Sequence, residues 1–167
     1  MEIKITPAID ADELFGDLYN DTNVFDKYIL DAYELACIEA IKSARNQPSP
    51  PATMKGLDHR PTYIDLSRHL RQSLGYAVYY NGEVWRSSYQ RPTTKNIIAK
   101  AAADMTGYAI GCVLIAGEKY ATYVEKRGYN VLTAQYIGFQ KILDKYLKEA
   151  FVKIQHDLNN QKWMSRT

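Results

Sequence analysis

Residues 74–86 read Leu74-Gly75-Tyr76-Ala77-Val78-Tyr79-Tyr80-Asn81-Gly82-Glu83-Val84-Trp85-Arg86, two strand-forming runs separated by Asn-Gly. Asn-Gly accepts the positive φ angles of a type I′ turn, whose twist matches that of the strands it joins. An antiparallel hairpin, Leu74–Tyr80 with Glu83–Arg86, is therefore the expected centre of the fold. Downstream, Tyr108–Ala116 is rich in β-branched and aromatic residues and predicts a further, central strand.

Helical periodicity brackets this sheet. Asn23, with Asp26 at the capping-box position, opens a helix expected to run through Asn46, its apolar stripe formed by Phe25, Tyr28, Ile29, Ala32, Leu35 and Ala36. From Thr133 a second long helix carries Tyr136, Phe139, Leu143, Leu147, Ala150, Ile154 and Leu158 on one stripe. Shorter helices are expected over 65–73, 94–105 and 118–127, the last stopped by Gly128 and followed by a brief extended piece, Tyr129–Leu132. Pro48, Pro50, Pro51 and Pro61 exclude a helix or central strand, so 47–62 reads as an exposed connection, and 87–95, with Pro92, as a second exposed loop. Residues 1–23 read as a loosely held arm, although Met1–Thr6 alternates like a short strand. The order predicts an α+β fold, with long N-terminal and C-terminal helices packed on one face of a small antiparallel sheet.

At 167 residues and 46% hydrophobic content, the chain suits a single domain spanning 1–167. No apolar run approaches membrane-spanning length and no basic-then-apolar leader opens the sequence, so a soluble, unexported product without membrane contact is expected. Cys37 and Cys112 lack metal-ligand spacing and read as reduced core residues. Fourteen tyrosines against four phenylalanines favour apolar area that keeps a hydroxyl, as contact surfaces or a half-exposed sheet require. The net charge of +2 conceals an asymmetry: residues 1–39 hold ten acids and two bases, a charge of −8, leaving +10 for the remainder. Such a chain is a poor general nucleic-acid binder but suits head-to-tail association with its own copies.

Two segments carry a resemblance to a known family. Ser67-Arg68-His69-Leu70-Arg71-Gln72-Ser73-Leu74 follows the first long helix and the proline-bearing loop, and Tyr120-Ala121-Thr122-Tyr123-Val124-Glu125-Lys126-Arg127-Gly128 follows the central strand. They resemble the Thr-Gly-x-Leu-Arg-x-Ser-Ile and Tyr-Ala-x-Tyr-Val-Glu-x-Gly segments of the head-tail joining, or tail-completion, proteins of long-tailed bacteriophages. Arg68 stands where the family has glycine, and one extra residue precedes Gly128. The proline- and phenylalanine-containing stretch that often follows is replaced by Asn130-Val131-Leu132-Thr133. The resemblance covers roughly residues 24–155, with 90–105 as an insertion.

It implies a non-enzymatic virion protein, made in the bacterial host cytoplasm, that needs no cofactor or metal. Such a protein assembles with itself as a ring in the phage neck, between portal or adaptor proteins on the capsid side and tail-terminator or tail-tube proteins. DNA would pass through without sequence-specific binding. Partner contacts are expected from Arg68 and Arg71 in the first segment and from Tyr120, Tyr123 and Glu125 in the second. Trp85, Arg86, Tyr89 and Arg91, residue types that dominate interface energetics, predict a further contact loop over 85–92.

The competing classes have thinner support. His59, His69 and His156 occur without a metal-binding pattern, and the best enzymatic arrangement is a nuclease or cell-wall hydrolase using His69 with Asp65 one turn away. A nucleic-acid module would draw on Arg60, Arg68, His69, Arg71, Arg86 and Arg91 with Tyr63 or Tyr89 for stacking. Gly107-Tyr108-Ala109-Ile110-Gly111 has too few glycines to cradle a phosphate.

Overall fold

The computed structural model describes residues 2–5, 22–47, 65 and 67–164. The elements are β1 (Glu2–Ile5), α1 (Thr22–Arg45), α2 (His69–Gln72), β2 (Leu74–Tyr80), β3 (Glu83–Ser88), α3 (Pro92–Asp104), β4 (Ile110–Ala116), α4 (Ala121–Lys126) and α5 (Thr133–Met164). The class is α+β, with both long helices where the periodicity put them. The strands form one antiparallel sheet in the order β1-β4-β2-β3.

The hairpin turns at Asn81 (φ 50°) and Gly82 (φ 82°), as Asn-Gly chemistry requires. β3 runs two residues further than expected, pairing Ser87 with Ala77 and Ser88 with Tyr76, and α3 starts at Pro92. Most of 87–95 is therefore strand or helix rather than loop, because Pro92 fits the first turn of a helix, where no amide donor is needed. Glu2–Ile5, read as part of a loose arm, is an edge strand paired with Cys112–Ile115 of β4. The expected extended piece over 129–132 is an irregular connection outside the sheet.

β2 and β4 are buried along almost their whole length, because both faces of the sheet are covered. Leu74, Tyr76, Val78, Ile110, Cys112, Leu114 and Ala116 share a core with Tyr33, Cys37, Ile41 and Ala44 of α1 and with Phe139 and Leu143 of α5. On the opposite face, Ala77, Tyr79, Val113 and Ile115 meet Ile98 and Ala101 of α3 and Met105 just past its end. The two long helices share one face as expected, but the short helix α3 covers the other as a third layer, where the Tyr79 hydroxyl donates to the Ile98 carbonyl at 2.8 Å. Cys37 and Cys112 are both buried and free. Burial pushes the Cys37 thiol well above its ordinary range.

α1 runs antiparallel to β2, with Tyr80 bonded to Asp26 near its start and Arg45 reaching the Leu74 carbonyl at its end. α5 runs antiparallel to α1, with Tyr28 meeting Asp157 and Glu39 meeting Tyr146. This geometry alters two expected stripes. α1 starts at Thr22, one residue before the expected Asn23, and the Asp26 carboxylate takes the Tyr80 hydroxyl. Leu35 is 41% exposed, because α1 is pressed between sheet and α5 and buries different flanks from the single stripe expected. Tyr136 is 51% exposed because α1 ends opposite the second turn of α5, and the first turns of α5 project past it.

Candidate functional site

The two segments that resemble the phage family meet at one end of the sheet, where β2 begins and β4 ends. Ser73, fully buried, stands at their junction. Its hydroxyl donates to the Leu70 carbonyl at 2.8 Å and accepts the Glu118 amide at 3.3 Å. Its carbonyl accepts the Thr94 hydroxyl at 2.7 Å and the Gly117 amide at 3.0 Å. A Cβ at Gly117 would lie 2.3 Å from Thr94 Oγ1 and 2.8 Å from the Thr94 backbone nitrogen, so only glycine lets α3 approach β4 this closely.

The other residues of the first segment serve the same junction. Leu70 is buried. Arg71 donates to the Arg45 carbonyl at 3.0 Å, tying α2 to the C-terminus of α1, while its backbone amide donates to the Asp65 carboxylate at 2.8 Å. Arg68 has φ 59°, and its side chain is exposed. Burial lowers the pKa of Arg45, whose guanidinium donates to the Leu74 carbonyl.

In the second segment, Glu125 is the cap of α5 from outside that helix. Its Oε1 accepts the amides of Val131 (2.9 Å), Leu132 (2.6 Å) and Thr133 (3.0 Å), and its Oε2 accepts the Thr133 hydroxyl. Asn130 accepts the Ala134 amide, so two side chains answer the donors that a helix N-terminus leaves open. Gly128 has φ 88° and ends α4, with its amide bonded to the Glu125 carbonyl. Ser67 lies beside the Tyr120 phenol, so the segments also meet at their outer surface.

The residues expected to contact partners separate into two groups. Arg71 and Glu125 make the internal bonds just described. Arg86 pairs with Glu34 and, at 3.6 Å, with Asp31 of α1, and lies over the Trp85 ring at 4.3 Å. Trp85 is the extra residue of a β-bulge opposite Val78 and Tyr79, and the bulge turns it with Arg86 toward α1, where it packs on the core. Arg91 sits 2.9 Å from Glu118, without hydrogen-bond alignment, fastening the start of α3 to the end of β4. Trp85, Arg86 and Arg91 are thus tied into β3, α1 and the start of α3, while residues 86–90 stay exposed. Exposed at the surface are Arg86, despite its pairing, and Tyr89, Tyr120 and Tyr123, with Arg68 and with Arg127 over the Tyr123 ring at 4.7 Å.

Sequence reasoning missed a set of tyrosine-carboxylate bonds along α1. Tyr80 donates to Asp26, Tyr76 to Glu34, Tyr146 to Glu39 at 2.7 Å, and Tyr28 to Asp157 at 2.7 Å. Burial, with the Glu34 charge beside it, pushes Tyr76 up to about 12. The Tyr146 hydroxyl, with Lys145 at 3.3 Å, holds Glu39 below the usual carboxylate range. The excess of tyrosine over phenylalanine and the excess of acid in the N-terminal region are thus partly one feature. Asp26, Asp31, Glu34 and Glu39 each pair within the chain.

For the enzymatic arrangement, the Asp65 carboxylate is bonded to the Arg71 amide, and the His69 side chain is exposed. His156 is exposed on α5 beside Asp157 and Asn160. His59, Arg60 and Tyr63 lie outside the described residues. Among the described residues, no three histidine, cysteine or acidic side chains gather as a metal site, and no helix is long and apolar enough to cross a membrane. Comparison of the chain with known protein families, with curated proteins and with solved structures finds no match in any of the three.

Proposed function

We propose that this chain is a structural protein of the phage neck that assembles as a ring and joins the portal side of the capsid to the tail, without catalytic activity or cofactor. One observation carries the reading. Arg68, where the phage family has glycine, lies at φ 59°, a region that glycine enters freely and other residues enter at a cost. The first segment thus holds, at the position where the family has glycine, a backbone conformation that glycine favours. The second segment supports it, since its glycine position, Gly128, also has positive φ. Leu70, Ser73 and Glu125, which match the family motifs, hold the junction of α2, β2, β4 and α5, so the resemblance falls on residues that define this architecture.

Its partners are further copies of itself, a portal or adaptor protein, and a tail-terminator or tail-tube protein. DNA passes without sequence-specific contact. Quantitative mass spectrometry of purified tailed particles tests the reading. The chain is expected in several copies per particle, in a fixed ratio to the portal protein, and its absence from intact particles rules the reading out.

A further inference from the structure

The two ends of the sheet carry different surfaces. At the end where β2 begins and β4 ends, Tyr120, Tyr123, Tyr129, Tyr136 and Ile137 are exposed, Ile137 at 76%. Lys119, Lys126 and Arg127 are exposed among them, and Arg68 is exposed on the adjoining segment. The nearby acids are committed elsewhere: Glu118 to Arg91, Glu125 to the start of α5, and Asp65 to the Arg71 amide. This end is therefore basic and rich in tyrosine.

The opposite end, at the hairpin turn, holds Ile5 and Thr22, the described residues that flank 6–21 in the sequence. Ile5 pairs with Cys112 near the start of β4, and α1 begins beside Tyr80. That segment contains Asp10, Asp12, Glu13, Asp17 and Asp21, no base, and the apolar residues Ile9, Leu14, Phe15, Leu18 and Tyr19. It complements the basic, tyrosine-rich end in both charge and apolar content. Its own chain offers it poor access. Returning from that end to Thr22 means covering the length of α1, about 36 Å for its 24 residues. Adding the outward path along the sheet uses nearly all of the ~58 Å that the fully extended segment spans.

We infer that the surface of α4 and the first turns of α5 receives the acidic 6–21 segment of a second copy of this chain, head to tail. The inference rests on the ring reading above and supplies its contact: a surface at one end of each subunit engages a different surface at the other end, the heterologous arrangement that closes into a ring. Tyrosine rings supply buried area and the bases answer the carboxylates.

Sedimentation velocity of the full chain tests it, using Lys119→Glu/Lys126→Glu/Arg127→Glu and Asp10→Lys/Asp12→Lys/Glu13→Lys. Each variant alone is expected to associate about tenfold more weakly than wild type or worse, and an equimolar mixture of the two to recover. Association that weakens as salt rises to 0.5 M, as screening of these charges requires, belongs to the same expectation. Circular dichroism melting confirms that each variant folds, and Tyr123→Ala/Ile137→Ala, which changes no charge, should weaken association equally. If both charge variants associate as wild type does, or the mixture fails to recover, the docking is overturned while the ring reading stands on the particle measurement. A wild-type chain that stays monomeric to 100 µM at low salt also overturns the docking.

Discussion

The junction around Ser73 and the surface of α4 lie at the same end of the molecule and are built on opposite terms. At the junction, polar groups point inward, bonded to backbone: Ser73 to Leu70, Thr94, Gly117 and Glu118, Arg71 to Arg45, Glu125 to the first amides of α5. On the surface, Tyr123, Tyr136 and Ile137 are more than half exposed. The same two sequence segments thus hold residues that determine folding and residues open to a partner. Substitutions in the first region should lower stability, with assembly falling only as far as folding does. Those in the second should lower assembly and leave stability alone.

The largest effect is expected at Gly117. Gly117→Ala forces a methyl against the Thr94 backbone, costing about 3 kcal/mol and lowering Tm by roughly 10 °C for a domain of this size. A melt within 2 °C of wild type would mean that the junction yields easily and the contrast is overstated. Glu125→Ala removes an acceptor shared by three amides and a hydroxyl, and thermal denaturation should show a loss of about 1–2 kcal/mol. Glu125→Gln, which keeps one acceptor oxygen, should lose less.

A change of opposite sign sharpens the comparison. Arg68→Gly relieves the left-handed conformation at φ 59° and should stabilise by about 0.5–1 kcal/mol, after the added freedom of glycine in the unfolded chain is subtracted. Tyr123→Ala/Tyr136→Ala should change stability by no more than about 0.5 kcal/mol, measured by urea denaturation, while reducing association. A large loss of stability there would move these tyrosines into the first region.

The smallest effect concerns acid pH. Glu39 is held below its ordinary pKa chiefly by the Tyr146 hydroxyl, and Asp157 chiefly by that of Tyr28. Each folded carboxyl releases its proton more readily than the unfolded one, so the stabilisation is present above the unfolded pKa and is lost as pH falls through the folded value. Stability should decline from about pH 5 to about pH 3, less steeply in Tyr28→Phe/Tyr146→Phe. Equal slopes would show that these bonds do not couple to protonation.

What could be read from the sequence was what is local in it. Asn81-Gly82 located the hairpin because two residues suffice to make that turn, and 3.6-residue periodicity located both long helices. The bulge at Trp85 was not legible, nor was the pairing of Arg86 with α1, because both depend on where a distant helix lies. Tyr136 read as core because its spacing fits the stripe, yet the length of α1 decides what covers it. Glu125 was visible within a family segment, but its bonds reach the start of another helix, and a short motif gives no sign of that. The acids of α1 read as a surface charge because their tyrosine partners are separated from them by up to 107 residues.

The central claim is that this chain joins heads to tails without chemistry of its own, and deletion of its gene tests that most directly. Electron microscopy of the lysate should show DNA-filled heads and complete tails, unjoined, and adding the purified chain should restore joined particles. Normal joined particles from the deletion, or failure at a step before heads fill, would contradict the account.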